Sequence, residues 1–217
     1  HRERLRKRFL SDMGASMQDY ELLELLLTLA KPRGDVKPLA KKLLIEFESF
    51  SNIISATPEE LKRVKGVGDS SVAALKLVQQ ASLRLLRQDV FNGHILSNWQ
   101  KLMDYIQAAM GREKVEQLRV LYLNQKNHLI ADEVQQRGTI NHTPLYPREV
   151  IKRALDLGAV AIIIVHNHPS GDPTPSEEDI IATKRLKEAG YNLDIVLHDH
   201  VVVGRTNYIS FKNHGLL

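Results

Sequence analysis

His166-Asn167-His168-Pro169-Ser170-Gly171-Asp172-Pro173, with Ser176 and Asp179 just downstream, gathers two imidazoles, a hydroxyl and a carboxylate into one short stretch. Imidazole nitrogens and carboxylate oxygens are zinc ligands, and three of them leave a fourth tetrahedral position for water. That open position separates a catalytic zinc from a structural one, and a water bound there has its pKa lowered toward about 7. The pattern therefore predicts one Zn2+ per chain, held by His166, His168 and Asp179, and hydrolytic chemistry. Part of it has a simpler reading: Ser176-x-x-Asp179 also fits a helix capping box with Asp in place of the usual Glu, which needs no metal. The two readings coexist, since Ser176 can cap a helix and still present its hydroxyl to the site.

The surrounding residues must position these groups. Ala159 to His166 is a continuous apolar run, the pattern of a strand covered on both faces. Side chains two apart on an extended chain project to the same side, so His166 and His168 face one way. Pro and Gly then bend the chain, and Ser176 to Ala189 reads as a helix ended by Gly190, bringing Asp179 back toward the imidazoles in its first turn. Ser97 to Met110 reads as a helix capped by Ser97 with Gln100 closing the box, with Trp99 and Met103 packing as core. Leu118 to Asn124 and His128 to Gln135 read as strands joined by a turn at Gln125-Lys126-Asn127. Pro147 to Leu157 is a helix stopped by Gly158, and Asn192 to Leu197 and Val201 to Gly204 are two further strands. Strands interleaved with helices predict an α+β layered domain over residues 94–217 with a mixed sheet. His198 and His200 form a second His-x-His pair, expected to line the cleft or sit in a turn rather than hold a second metal. His94, His128, His142 and His214 are expected at the surface.

Residues 1–90 carry helical periodicity throughout and predict a separate all-helical domain, with the boundary at Gln88 to Gly93. Tyr20 to Ala30 and Val36 to Phe47 have core-facing apolar spacing. Thr57-Pro58-Glu59-Glu60 supplies an N-cap, a first-turn proline and the closing Glu of a capping box. The helix it opens stops at Val64-Lys65-Gly66-Val67-Gly68, and another runs from Asp69 or Ser70 to about Leu86. Leu61 to Leu75, inside a motif spanning about 57–86, resembles a helix-hairpin-helix, whose glycines let a phosphate approach the backbone N–H groups at the start of the second helix. Lys62, Arg63 and Lys65 would add charge beside Gly66, Gly68 and Ser70, so DNA backbone is an expected partner through residues 61–75. The plain alternative is a helix–helix turn that serves packing or a protein contact.

Composition agrees with this division. Residues 1–90 hold 16 Lys and Arg against 12 Asp and Glu, which accounts for the whole net charge of +4. Eight of the nine histidines lie beyond residue 90. The longest apolar run, Ala159 to Val165, is far short of the roughly 18 residues that a membrane helix needs. HRERLRKRFL is too charged for a secretory signal. The chain has no cysteine, which removes disulfides and thiolate ligands from consideration and fits a cytoplasmic setting.

His166-x-His168, seven residues, Ser176, two residues and Asp179 match the JAMM signature of the MPN+ metalloproteases. The wider string resembles the RadC family over essentially the whole chain: Glu116 to Asn124, Gly138-Thr139, Pro147-Arg148-Glu149-Val150, His166 to Pro175 and Asp199-His200, preceded by a helix-hairpin-helix. The resemblance implies a JAMM/MPN fold and an upstream Glu acting as general base. Glu116, immediately before the strand LRVLYLN, is the first candidate; Glu149 follows, and then Glu133, which is expected to be solvated. It further implies that Glu116 passes a proton from water to the leaving amine and that Ser176 donates to the developing oxyanion. The expected activity is a zinc peptidase or isopeptidase acting on a peptide or protein. The alternatives are a metal-dependent nuclease or phosphodiesterase, Fe(II) oxygen chemistry, and a non-catalytic DNA- or protein-binding adaptor with a structural metal.

Overall fold

The computed structural model describes residues 1–91, 93–137 and 145–217. Internal contacts divide the chain into two compact units, His1–Ser82 and Leu83–Leu217. Among the described residues no helix is long and apolar enough to cross a membrane.

The first unit is built from α1 (Arg2–Asp12), α2 (Asp19–Ala30), α3 (Lys37–Phe47), α4 (Phe50–Ser55), α5 (Pro58–Arg63) and the start of α6 (Asp69–Phe91). Leu23, Leu27, Leu43, Ile53, Leu61 and Leu75 have no solvent exposure and form its core. The capping box expected at α5 is present: the Thr57 hydroxyl accepts the Glu60 N–H at 3.3 Å, and a Glu60 carboxylate oxygen accepts the Thr57 N–H at 2.9 Å. Gly66, at φ +105°, makes the turn between α5 and α6. Helix α6 runs on to Phe91, beyond the expected end near Leu86, and the division into units falls within it.

The second unit is α+β. It contains α7 (Trp99–Met110), β1 (Gln117–Leu123), β2 (Leu129–Arg137), α8 (Pro147–Asp156), β3 (Ala161–Asn167), α9 (Glu177–Tyr191), β4 (Val196–Val203) and β5 (Tyr208–Ser210). The sheet has the order β2-β1-β3-β4-β5; β3 is antiparallel to β1 and parallel to β4, with α9 as the crossover. Every residue of β3 is buried, as its apolar run predicts. Ile163 and Val165 pack toward Leu102, Met103 and Ile106 of α7, while Ile162 and Ile164 pack toward Val150 and Ile151 of α8 and Leu186 of α9. Truncating such a side chain to Ala typically costs about 2–5 kcal/mol, so β3 is a rigid base for whatever sits at its end.

Three expectations are corrected. Ser97 does not cap α7: Asn98 holds the cap position without a side-chain hydrogen bond, and Gln100 donates instead to Asp104 one turn on. Residues 196–203 form one strand, not two, because the polar His198-Asp199-His200 is absorbed rather than expelled. The register against β3 slips at that point, with Ile162 opposite Leu197 and Ile163 opposite Asp199, leaving His198 as the extra residue of a bulge. Glu133 is not simply solvated; Arg153 grips it, with Nη2 2.6 Å from Oε1. His142 and Gly138-Thr139 lie outside the described residues.

Candidate metal centre

The centre is built at the C-terminal end of β3, where a parallel strand pair opens against the crossover helix. His166 is 3% exposed and shares the α8/α9 face of the sheet with Ile162 and Ile164. Strand pairing outlasts β3 by one residue, since the His168 N–H donates to the Val203 carbonyl at 2.9 Å. That keeps His168 extended, and its Nε2 lies 3.0 Å from Nε2 of His166. The loop then folds back: Gly171, at φ +90°, donates its N–H to the His168 carbonyl. His168 Nδ1 lies 2.9 Å from the Asp172 carbonyl oxygen. A carbonyl only accepts, so Nδ1 carries the hydrogen and Nε2 keeps the lone pair in the neutral ring.

Helix α9 delivers the carboxylate. Its capping box is complete, with the Ser176 hydroxyl accepting the Asp179 N–H at 3.1 Å and Asp179 Oδ2 accepting the Ser176 N–H at 2.7 Å. The Ser176 hydroxyl hydrogen also goes to Asp179 Oδ2, at 2.7 Å. Asp179 Oδ1 reaches to 3.3 Å from His166 Nε2, and Oδ2 to 3.6 Å from His168 Nε2. Burial pushes the Asp179 carboxyl up, but hydrogen bonds to His166 and His168 outweigh it and hold the group well below the usual carboxylate range. The hydrogen bond to Asp179 raises His168 above the ordinary histidine value; burial opposes it, and the Asp172 carbonyl and the Glu116 charge add to the rise.

These three residues form the one cluster with metal-ligand geometry among the described residues, their ligand atoms all within 4.8 Å of one another. Ligands 2.0–2.1 Å from a tetrahedral zinc lie about 3.3 Å apart. The two imidazole nitrogens are 3.0 Å apart, and Asp179 comes within 3.3 Å of His166 Nε2 through Oδ1 and within 3.6 Å of His168 Nε2 through Oδ2, all near that figure. The donor set therefore fits a small divalent ion.

Glu116 lies at the same end of the sheet and is 8% exposed. Leu118, two residues on, makes the last pair of the ladder, with His166, and the Glu116 charge is felt at His168. Asn167, 1% exposed between the two histidines, ties that segment down. Its Oδ1 accepts the Gln117 N–H at 2.9 Å, and its Nδ2 donates to the carbonyls of Glu113 and Val115. Glu149 is exposed in the first turn of α8, and Glu133 is committed to Arg153. Neither has a comparable tie to the histidines.

His200 is where the sequence reading misses most. It is buried in β4 rather than in a turn, with Nε2 2.7 Å from His166 Nδ1 and Nδ1 2.6 Å from the Thr183 hydroxyl. His198, displaced by the bulge, meets Asn127 instead. Asp199 accepts the N–H groups of His200 and Lys212 and the Ser210 hydroxyl, so it organises the β4–β5 end and takes no part in the cluster. Thr183 was legible as the residue one turn after Asp179 on the same face of α9. Asn167 gave no signal beyond standing between two histidines.

In the first unit, Lys62, Arg63, Lys65, Gly66, Gly68 and Ser70 are all exposed around the α5–α6 turn. Lys62 Nζ is 2.6 Å from Asp69 Oδ1 at the start of α6, which neutralises part of the expected positive charge. Arg63 and Lys65 carry the remainder.

Residues 96–216 match the family described as RadC-like JAB domain, and residues 1–73 match UPF0758 N-terminal. The chain is 54% identical over 213 residues to a UPF0758 protein of Rhodobacter capsulatus, an alignment covering 98% of this chain and 100% of that one. It is 49% identical over 217 residues to a UPF0758 protein of Ruegeria pomeroyi, covering 100% of this chain and 97% of the relative.

Proposed function

Because the chain belongs to the RadC-like JAB-domain family, we propose that its second unit is a JAMM-type metal-dependent hydrolase, and more narrowly a zinc peptidase or isopeptidase that cleaves an amide in a peptide or protein. The observation that carries this reading is the convergence of His166 Nε2, His168 Nε2 and the Asp179 carboxylate within 4.8 Å, at the strand end that Glu116 shares. A zinc ion held by those three residues supplies a coordinated water of pKa about 7 and positive charge for a carbonyl oxygen.

The chain's own groups divide the remaining work. Glu116 takes a proton from the attacking water and returns it to the leaving amine. Ser176 donates to the oxyanion on the attacked carbonyl, which requires its hydrogen to leave Asp179 Oδ2, 2.7 Å away. Asn167 holds the Glu116 segment against β3. A cysteine-free chain suits a reducing cytoplasm, where we take it to act.

Zinc quantitation on the full chain and on Asp179→Ala tests the ligand set, with zinc expected in the first and lost from the second; equal contents would sink it. Glu116→Gln separates the enzyme from an adaptor, because a hydrolase keeps zinc and loses turnover while an adaptor keeps its function. Peptide, isopeptide and nucleic acid substrates offered in parallel separate peptidase from phosphodiesterase.

For the first unit, the exposed Arg63 and Lys65 beside Gly66 and Gly68 favour contact with DNA backbone. Such contact reads phosphate and weakens with salt. Filter binding that finds no salt-dependent affinity for any form of DNA overturns it.

A further inference from the structure

We infer that Thr183 and His200 are positioning residues that fix the hydrogen of His166 on Nδ1 and so keep the lone pair of its Nε2 aimed at the metal position. The inference rests on the ligand set proposed above and adds what sets one of those ligands.

A threonine hydroxyl has one hydrogen. Thr183 Oγ1 lies 2.6 Å from the backbone carbonyl of Asp179, which can only accept, so the hydroxyl hydrogen is spent there. Toward His200 Nδ1, 2.6 Å away, the same oxygen can then only accept, and Nδ1 of His200 carries the hydrogen. His200 is 2% exposed with the Phe211 ring 4.4 Å from its own, surroundings that disfavour a second proton. Its Nε2 therefore bears a lone pair and accepts from His166 Nδ1 at 2.7 Å. His166 Nε2 is left as an acceptor, 3.0 Å from His168 Nε2 and 3.3 Å from Asp179 Oδ1.

Run in the opposite direction, the chain of bonds fails. If Thr183 donated to His200, then His200 Nε2 would donate to His166 Nδ1, and His166 Nε2 would point a hydrogen at the ligand position. The Asp179 carbonyl excludes that direction by occupying the hydroxyl hydrogen. Helix α9 thus delivers two things from one turn: the Asp179 carboxylate as a ligand, and through the Asp179 carbonyl and Thr183 the orientation of a second ligand on β3. Metal-bound histidines commonly donate their other N–H to a carboxylate or a carbonyl. Here the acceptor is a neutral imidazole, so the ring is oriented without the added basicity that a carboxylate would give.

The test is performed on the full chain with zinc. Imidazole 15N shifts should show His200 protonated on Nδ1 and bare on Nε2, in both zinc-free and zinc-loaded protein; a His200 hydrogen on Nε2 overturns the inference without any variant. Thr183→Val, which removes the acceptor at nearly constant shape, should weaken zinc binding about 10–100-fold. Thr183→Ser, which restores the hydroxyl and removes a methyl, should recover affinity and the His200 shifts. A packing role alone would lower thermal stability in both variants and leave the His200 tautomer unchanged. Asp179→Ala serves as the control: if it also binds zinc as the wild type does, the ligand set is wrong. If it loses zinc while Thr183→Val binds normally, only the positioning chain is wrong.

Discussion

Asn167 and Gln117 are joined across the sheet, the Asn167 carboxamide oxygen accepting the Gln117 backbone N–H at 2.9 Å. The same carboxamide donates to the carbonyls of Glu113 and Val115, so one buried side chain makes three bonds to the segment where β1 begins. Glu116 stands next to the anchored residue. Asn167→Leu keeps the volume and removes all three bonds. It should lower unfolding stability by about 1–3 kcal/mol, the cost of orphaned buried polar groups. Zinc content should hold while turnover falls, since the ligands are untouched and Glu116 loses its tether. Chemical denaturation beside zinc analysis checks both halves, and loss of zinc would mean that Asn167 supports the ligands instead.

Ser176 caps α9 and, in the proposed function, also serves the site; two substitutions separate these roles. Replacing a Ser cap by Ala costs about 0.5–2 kcal/mol, whereas replacing it by Gly costs only a few tenths. Both remove the hydroxyl. Ser176→Gly should therefore keep most of the stability, while turnover drops by about 10²–10³ as for loss of one oxyanion donor. Thermal melts paired with initial rates decide it; full activity in Ser176→Gly would confine Ser176 to capping.

Zinc affinity should depend on pH in a definite direction. His168 sits above the ordinary histidine value, chiefly through its hydrogen bond to Asp179 against the opposition of burial, so in the metal-free protein it holds its proton to a higher pH. Zinc must displace that proton. Affinity should be level in alkaline solution and fall by about tenfold per pH unit for each proton displaced once the pH drops below the raised His168 value. Isothermal titration in buffers of different ionisation enthalpy counts the protons, and a pH-independent affinity would contradict the role of His168.

The Glu133–Arg153 pair should affect acid stability. The hydrogen bond from Arg153 lowers the Glu133 carboxyl below its ordinary value, against burial. A lowered folded-state value contributes stability above the unfolded-state pKa of about 4.3, and that contribution is lost as pH falls through the folded value. Both side chains are partly exposed, at 29% and 43%, so the pair is worth no more than about 1 kcal/mol. Glu133→Gln should be slightly less stable than wild type at pH 7 and equal to it once the pH is below the lowered Glu133 value, as read in urea titrations.

Gly204 should tolerate no side chain. A Cβ there would lie 2.3 Å from the Gly171 carbonyl oxygen and 2.9 Å from Pro173 Cδ. The Arg205 N–H donates to that Gly171 carbonyl, so the loop carrying His168 is laid directly on the β4–β5 turn. Gly204→Ala should push the loop away and weaken zinc binding as well as stability, whereas Gly34→Ala, where a Cβ meets nothing within 4 Å but φ is +84°, should cost stability alone. Metal titration of both variants is the measurement.

The clustering of His166, His168 and Asp179 was legible because local chemistry and local geometry agree there. A strand end, a stiff loop and a helix start occur in sequence order, so His166, His168 and Asp179 could be placed together without tertiary information. The α+β layering followed from the same alternation of periods. His200 was not legible, because its meaning depends on a parallel partner strand and on a one-residue bulge at His198 that decides which histidine faces His166. Periodicity along a single strand cannot supply that register. The cap of α7 failed for a different reason: Ser97-x-x-Gln100 is a local signal, and Gln100 found a partner one turn on.

His166, His168, Asp179, Thr183 and His200 all belong to one strand–helix–strand crossover, Ala161 to Val203. The loop joining the last histidine ligand to the aspartate is short, and closing a short loop costs an unfolded chain little entropy. On the proposed ligand set, the denatured polypeptide would keep a residual grip on the ion through the same residues. Metal that binds both folded and unfolded forms stabilises the fold by less than its native-state affinity implies. Tightness of the proposed ion and thermal stability would then be partly uncoupled: the ion would persist on the chain through unfolding and be present at the first turn of α9 when the crossover re-forms.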